Sequence, residues 1–204
     1  HYEIVASQGK KVSVGLEIAV IYSLAQLHFV EENYKDSLKY MRIWLTKAEN
    51  PGPQPHIFIG QIYYQMQDFP KAILEIEKAI RIAKERDLTI KENWWGLLRY
   101  LYFEREDWPK VVEILEILVD DFPKREYWLQ LGGIYGQQGF ENKQMYAYES
   151  AHVAGFIDRE KDIINYAGLL MQSEVPARAA KWLDRGMDEG TVERTAVNLR
   201  TLGQ

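Results

Sequence analysis

Five turn-like segments recur along this chain at nearly constant spacing, and they limit its possible folds more than any other feature. Each combines polar residues with an aromatic residue or a proline, and they cover residues 32–37, 67–72, 106–111, 139–144 and 174–179. Their last residues are separated by 35, 39, 33 and 35 positions. A period of about 34 residues accommodates two helices and their turns. The repeat therefore predicts an array of helix pairs.

Apolar residues at helical spacing flank each turn. Trp95, Leu98 and Tyr102 precede the third turn, and Val111 and Leu115 follow it. A generic antiparallel bundle also shows this periodicity, but it has no reason to repeat turns and small residues at a common period. We therefore predict an all-α fold, a right-handed α-solenoid of stacked helix–turn–helix units. The predicted organisation is a polar leader over residues 1–15 and a solenoid over 16–204, with five helix pairs and the first helix of a sixth.

Composition excludes several other classes of protein. Hydrophobic residues make up 47% and charged residues 27%, which is typical of a folded domain rather than a disordered chain. The net charge of −5 argues against a surface built mainly for phosphate groups. Cysteine is absent, which excludes disulfides and thiolate chemistry. Because the sequence starts at His1 rather than Met, we expect a processed or trimmed chain.

No residue pattern indicates catalysis. The four histidines are His1, His28, His56 and His152, and no two are close enough in sequence to form a zinc-protease motif. The glycines between 132 and 139 follow helical periodicity and lack the lysine of a phosphate-binding loop. We therefore expect no catalytic residues, no metal site, no cofactor and no enzymatic activity. His28 and His56 occupy core positions of their helices, so we interpret both as packing residues.

The repeated units resemble the tetratricopeptide repeat family from Leu16 to about Gly190. The residues that carry this resemblance are Trp128, Leu131, Gly132, Tyr135, Tyr148 and Ala151, together with Ile59, Gly60, Tyr63, Ala72, Ala79, Trp95, Leu98, Tyr102 and Pro123. The resemblance implies a protein-binding scaffold. In such an array the first helix of each pair lines the concave side, where its outward-facing residues can bind a partner.

Ten residues are predicted to form this concave partner-binding groove. They are Tyr22, Gln26, Phe29, Ile57, Gln61, Tyr64, Tyr100, Phe103, Gln130 and Asn165. Phe29, Tyr64 and Phe103 occupy the same place in successive units, and aromatic residues are frequent binding anchors. We expect Tyr64, Tyr100 and Phe103 to contribute most. The alternative is that these aromatic rings pack against the next helix as part of the core.

Two narrower resemblances bear on the partner. Tetratricopeptide domains that hold acidic chaperone tails carry a Lys/Asn carboxylate clamp, whereas this sequence places Tyr22, Gln26, Gln61 and Gln130 there. We therefore expect a neutral or apolar ligand. The segments 92–95, 122–131 and 175–181 resemble repeat proteins associated with TonB–ExbB–ExbD energy-transducing systems. That resemblance implies a periplasmic accessory protein whose partner belongs to such a complex.

Two other functions stay open. The chain could be a structural subunit that forms a homo-oligomer through the ends of the solenoid. Helical repeats can also bind RNA, but here the groove holds almost no basic residues. The lysines that recur once per unit lie among acidic residues, which favours a solvated surface. We therefore expect no nucleic-acid partner and no membrane span in this chain.

Overall fold

The computed structural model describes residues 14–202, which form eleven α-helices and no strand. The helices are α1 (Val14–Val30), α2 (Tyr34–Lys47), α3 (Pro53–Gln65), α4 (Phe69–Glu85), α5 (Glu92–Glu104), α6 (Trp108–Asp121), α7 (Arg125–Gln137), α8 (Glu141–Val153), α9 (Glu160–Gln172), α10 (Pro176–Asp188) and α11 (Ala196–Leu202). Over these residues, no helix is both long and apolar enough to cross a bilayer. The all-α helical-repeat prediction is confirmed.

The described helices fall into two compact units. The division lies between Asp107 and Trp108, so α1 to α5 belong to the first unit and α6 to α11 to the second. The sequence predicted one array over residues 16–204 and did not predict this division. Residues 1–13 of the predicted leader lie outside the described residues. Val14 and Gly15 belong to α1, so the leader does not extend to residue 15.

One turn conformation recurs before each second helix of a pair. The turn residues Glu32, Gln67, Glu106, Gly139 and Glu174 all have positive φ, between 55° and 75°. In each turn the next backbone N–H donates to the carbonyl five residues earlier, as Asp68 does to Tyr63 at 2.9 Å and Phe140 to Tyr135 at 2.8 Å. This bond closes the end of a helix with a left-handed residue. The nearly constant spacing of the turns along the chain therefore reflects a repeated backbone geometry.

Small residues let the two helices of a pair approach closely. A Cβ atom on Gly60 of α3 would lie 2.7 Å from Ile76 Cγ1 of α4, and one on Gly132 of α7 would lie 2.7 Å from the Tyr148 ring of α8. Such distances are too short for real contacts. Ala72 has no exposed surface. The glycine and alanine positions of the repeat are thus fixed by helix packing.

Tyrosine hydroxyls connect two of the first helices, α5 and α7, to the helix before each of them. In the first unit Tyr102 donates to Glu77 Oε1 at 2.6 Å. In the second unit Tyr135 donates to Glu116 Oε1 at 2.5 Å. Burial and the hydrogen-bonded Glu116 carboxylate raise the pKa of Tyr135, so its hydroxyl remains a donor at neutral pH. These bonds position the first helices, whose outer residues were predicted to bind.

Candidate functional site

The first helices of the first unit present equivalent aromatic residues at their C-terminal ends. Phe29, Tyr64 and Phe103 are each the last residue but one of α1, α3 and α5. The positive-φ turn described above follows each of them within a few residues. Because the same turn ends each helix in the same way, the three side chains share one register in the repeat. We call the outer surface of α1, α3 and α5 the aromatic face.

At α1 the aromatic residues pack tightly on one ring of α3. Phe58 is 8% exposed, and its ring centroid lies 5.3 Å from that of Phe29 and 5.8 Å from that of Tyr22. Tyr22 also meets Trp44 edge-on at 5.5 Å. Tyr22 and Phe29 are half-buried, and burial raises the pKa of Tyr22. For these two residues the alternative prediction of a packing role describes the geometry well.

The aromatic side chains of α5 are more accessible, whereas Tyr64 of α3 is half-buried. Tyr64 meets Tyr100 nearly at right angles at 5.8 Å and stacks on Phe69 at 6.2 Å. Tyr100 is 40% exposed and Phe103 is 41% exposed. Partial desolvation and the neighbouring Glu104 carboxylate raise the pKa of Tyr100, so its hydroxyl is protonated at neutral pH. This part of the aromatic face offers both apolar surface and a hydrogen-bond donor.

Three of the predicted groove residues on α1 and α3 are not aromatic. Gln26 is exposed and Gln61 is half-buried, so both amides lie where a ligand could reach them. Ile57 is only 2% exposed, and the prediction that it lines the groove is wrong. The residues from Pro55 to Gly60 are all buried, so protein surrounds the first half of α3 on every side. Periodicity alone did not reveal this.

The last two predicted residues belong to the second unit. Gln130 lies on α7 and is half-buried, and Asn165 lies on α9 and is exposed. Neither belongs to the aromatic face, which is formed by helices of the first unit alone. Their role in binding stays a prediction.

The two histidines of the first unit have packing roles, as predicted. His56 is 2% exposed, and its Nδ1 lies 2.7 Å from Glu75 Oε2 of α4. His28 stacks on Tyr40 with a centroid distance of 5.3 Å and an angle of 7° between the rings. Within residues 14–202, no three His, Asp or Glu side chains cluster in a way that could hold a metal ion.

The second unit contains a basic pocket that was not predicted from the sequence. The pocket has a volume of about 270 Å³, and its lining residues are His152, Arg178, Lys181, Trp182 and Arg185. The sequence did indicate part of this pocket. Its four residues on α10, at positions 178, 181, 182 and 185, have the i, i+3, i+4, i+7 spacing of one helix face. His152 comes from another helix, and only the fold brings it to the same place.

Solved structures with similar folds support the repeat architecture. YrrB, described as a tetratricopeptide repeat protein with an unusual peptide-binding site, is 14% identical, with a TM-score of 0.58; the match covers 92% of this chain and 91% of YrrB. MamA from Desulfovibrio magneticus RS-1 is 15% identical, with a TM-score of 0.55 and coverage of 84% and 93%. A chain of the Naa15/Naa10 complex bound to HypK-THB has a TM-score of 0.66 at 13% identity, where the match covers 98% of this chain and 30% of that one.

Sequence comparison gives no closer relationship. No protein-family model matches the chain, and no curated protein matches it by sequence. The structural similarity, at identities of 13% to 15%, establishes the fold alone. The chain has an all-α helical-repeat fold similar to that of the tetratricopeptide repeat protein YrrB and of MamA.

Proposed function

We propose that this protein is a non-catalytic interaction scaffold that binds a segment of a partner protein on the aromatic face of its first unit. The observation that carries this proposal is the exposed surface of Tyr100 and Phe103, together with the half-buried Tyr64 that contacts Tyr100. Tyrosine and phenylalanine supply a large contact area with few rotatable bonds, so little conformational entropy is lost when they bind. The contact between Tyr64 and Tyr100 restricts these two rings further before a ligand arrives.

The chemistry of the aromatic face favours a neutral or apolar segment. Gln26 and Gln61 offer amide groups, and Tyr100 offers a hydroxyl donor. The Glu104 carboxylate lies next to Tyr100 and would repel a negatively charged ligand. A terminal carboxylate is therefore a poor ligand for this face. An extended segment with apolar side chains and free backbone carbonyls fits it better.

The comparisons and the resemblance to TonB-associated repeat proteins suggest where to look for the partner. YrrB, a structural neighbour, is described as having a peptide-binding site, and a peptide segment is the kind of ligand proposed here. A component of a TonB–ExbB–ExbD complex is the specific partner to test first. This assignment includes a periplasmic location, which is part of the proposal.

Photo-crosslinking in the native cell tests the proposal directly. A photoreactive phenylalanine analogue replaces Phe103 or Tyr64 in separate variants, and the captured protein is identified by mass spectrometry. Leu74 is the matched control, because it is 64% exposed in the same unit but lies on the second helix α4. We expect one defined protein to be captured from residues 103 and 64 and not from residue 74.

Other outcomes of this experiment have equally definite meanings. Capture of a TonB, ExbB or ExbD protein would support the specific assignment, and capture of another defined protein would keep the scaffold and remove the TonB context. Capture from residue 74 alone would mean that the aromatic face does not bind. Crosslinked RNA would replace the protein partner with a nucleic acid.

Self-association is the second candidate function. On α11, the side chains of Val197 and Leu199 are 69% and 44% exposed, and exposed apolar residues can contact a second copy of the chain. Light scattering over a range of concentrations distinguishes this candidate. A mass that rises with concentration supports self-association, whereas a constant monomer mass rejects it.

A further inference from the structure

The basic pocket of the second unit is a second candidate binding site, separate from the aromatic face. Its lining contains three cationic side chains, one tryptophan and one histidine, and no acidic residue. Arg178, Lys181, Trp182 and Arg185 all come from α10, and His152 comes from α8. Positive charge and aromatic surface therefore meet in one small concavity.

Buried aromatic rings hold the pocket in shape. The His152 ring meets Trp182 edge-on at 4.4 Å. Beneath them Tyr166 has no exposed surface, lies 6.2 Å from Trp182 and stacks in parallel on Tyr148 at 6.5 Å. Three rings from α8 and α9 thus pack with the tryptophan of α10 and fix its position before any ligand binds.

Two of the three cations are positioned by neighbouring side chains. Arg178 donates through Nη2 to the Tyr166 hydroxyl at 3.3 Å and through Nη1 to Glu149 at 2.8 Å. Arg185 lies over the Trp182 ring at 5.7 Å and uses Nε to contact Glu189 at 2.7 Å. Its two terminal nitrogens make no hydrogen bond to the described part of the chain, so they can donate to a ligand.

Lys181 is the pocket cation that no acidic side chain among the described residues neutralises. It is exposed and forms no ion pair with any residue between 14 and 202. Lys181 and Arg185 are four residues apart on α10, so their side chains are neighbours on the helix surface. A carboxylate placed between them could accept hydrogen bonds from both.

We propose that this pocket binds an acidic peptide segment of a partner protein. One Asp or Glu carboxylate would lie between Lys181 and Arg185, and an adjacent apolar side chain would contact Trp182. This inference goes beyond the proposed function, because the site lies in the other unit and selects an anionic rather than a neutral ligand. The two proposals therefore succeed or fail separately.

Size and charge distribution favour a peptide over other anionic ligands. The volume of about 270 Å³ is just below the range of small-molecule sites, which span about 300–1,000 Å³, and it suits one or two side chains. Nucleic-acid binding depends on many phosphate contacts along an extended basic track. Here only three cations line the pocket, on a chain of net charge −5, and Glu149 and Glu189 lie beside two of them.

Fluorescence polarisation with defined peptides tests the proposal on the full chain. The probe is a labelled hexapeptide of alternating Glu and Leu, and its neutral counterpart alternates Gln and Leu. The test variant is Lys181→Glu, and the matched control is Lys161→Glu, which reverses an exposed charge on α9 of the same unit. Lys181→Gln removes the charge without adding a new one, and circular dichroism confirms that each variant is folded.

The expected result is selective binding of the acidic peptide that weakens as salt is added. Lys181→Glu should weaken this binding by about tenfold or more, which corresponds to the loss of one good charge-assisted contact. Lys161→Glu should change it by less than about twofold. Equal weakening by both variants, equal binding of the neutral peptide, or no binding of the acidic peptide would overturn the proposal. Tighter binding of a single-stranded oligonucleotide of equal charge, lost in Lys181→Glu, would overturn it in favour of nucleic acid.

Discussion

The two compact units use the same helix pairs and the same turns but surround their aromatic side chains with different chemistry. In the first unit Tyr64 and Tyr100 contact each other beside the acidic Glu104. In the second unit Trp182 and His152 contact each other beside two arginines and a lysine. The backbone geometry of the repeat does not dictate these surroundings.

This difference indicates that the residues of a helical repeat divide into two sets. Glycines and alanines at the close approaches of two helices determine the fold and recur with the period. Residues on the outer faces are free to change from unit to unit, and we propose that they determine what each unit binds. Substitutions in the first set should lower stability to a similar extent in either unit. Substitutions in the second set should weaken the binding of one ligand only.

The largest effect is expected where a side chain is introduced at a close helix approach. Gly60→Val and Gly132→Val should each lower the free energy of unfolding by about 2–3 kcal/mol, because the new Cβ would clash with Ile76 or Tyr148. Urea denaturation measures both values. If one variant proved neutral, the two units would not share the same packing rule.

Glycines in open space provide the controls for this prediction. A Cβ on Gly96 or Gly133 would meet no atom within 4 Å. Gly96→Ala and Gly133→Ala should therefore stabilise the protein by up to about 0.5–1 kcal/mol through helix propensity.

The next largest effect is expected on partner binding, when a side chain proposed to anchor the partner on the aromatic face is removed. Tyr100→Ala and Phe103→Ala should each weaken binding of the captured partner by about 2 kcal/mol, as removal of a central aromatic anchor typically does. Both side chains are about two-fifths exposed, so thermal unfolding should change little. Isothermal titration calorimetry measures the binding, and Leu74→Ala is the control that should leave it unchanged. Large losses of thermal stability without loss of binding would assign these rings to the core.

A smaller effect separates the turn after α7 from the other four turns. Glu32, Gln67, Glu106 and Glu174 adopt positive φ without being glycine, whereas Gly139 occupies the equivalent place after α7. A side chain in this conformation costs about 1 kcal/mol. Gln67→Gly should therefore stabilise the protein by about 0.5–1 kcal/mol, and Gly139→Ala should destabilise it by about 1 kcal/mol. Chemical denaturation measures both, and a change of the same sign in the two variants would contradict the turn assignment.

The smallest expected effect is a pH dependence of stability that arises from His152 in the basic pocket. Burial, together with the charges of Arg178 and Arg185, lowers the pKa of His152 from 6.5, and Glu149 opposes this in part. Because the unfolded chain then binds a proton more readily than the folded chain, stability is fully present above about pH 6.5 and is lost as the pH falls towards the folded pKa.

The variant His152→Gln isolates this contribution. Urea midpoints at about pH 7.5 and about pH 5.5 should differ less for the variant than for the unchanged protein, because the carboxylates titrate mainly below this interval. A pH dependence that is identical in the two proteins would show that His152 titrates alike in the folded and unfolded states.

The sequence predicted the helix pairs well because their signals are local. Pro70, Pro109 and Pro176 mark the first turns of α4, α6 and α10, and Pro123 follows α6, as expected from the missing N–H of proline. The turns recur because each closes its helix through one backbone bond. Such features depend on residues only a few positions apart.

Burial and clustering were harder to predict because they depend on distant residues. Ile57 has the spacing of an outward-facing residue, yet Pro55 to Gly60 are buried all round. His152 and Trp182 are 30 positions apart, and only the packing of α8, α9 and α10 brings their rings to 4.4 Å. The partner and the cellular compartment have no local signal, so the TonB-type partner and the periplasmic location stay predictions.

The central claim is that each unit binds its own class of ligand, and a crossed binding experiment tests it most directly. The double variant Tyr100→Ala/Phe103→Ala and the single variant Lys181→Glu are each measured against the partner captured from residue 103 and against the alternating Glu–Leu peptide. We predict that the double variant weakens only partner binding and that Lys181→Glu weakens only peptide binding. If either variant weakened both ligands to the same extent, the two faces would not be independent sites, and the account would be wrong.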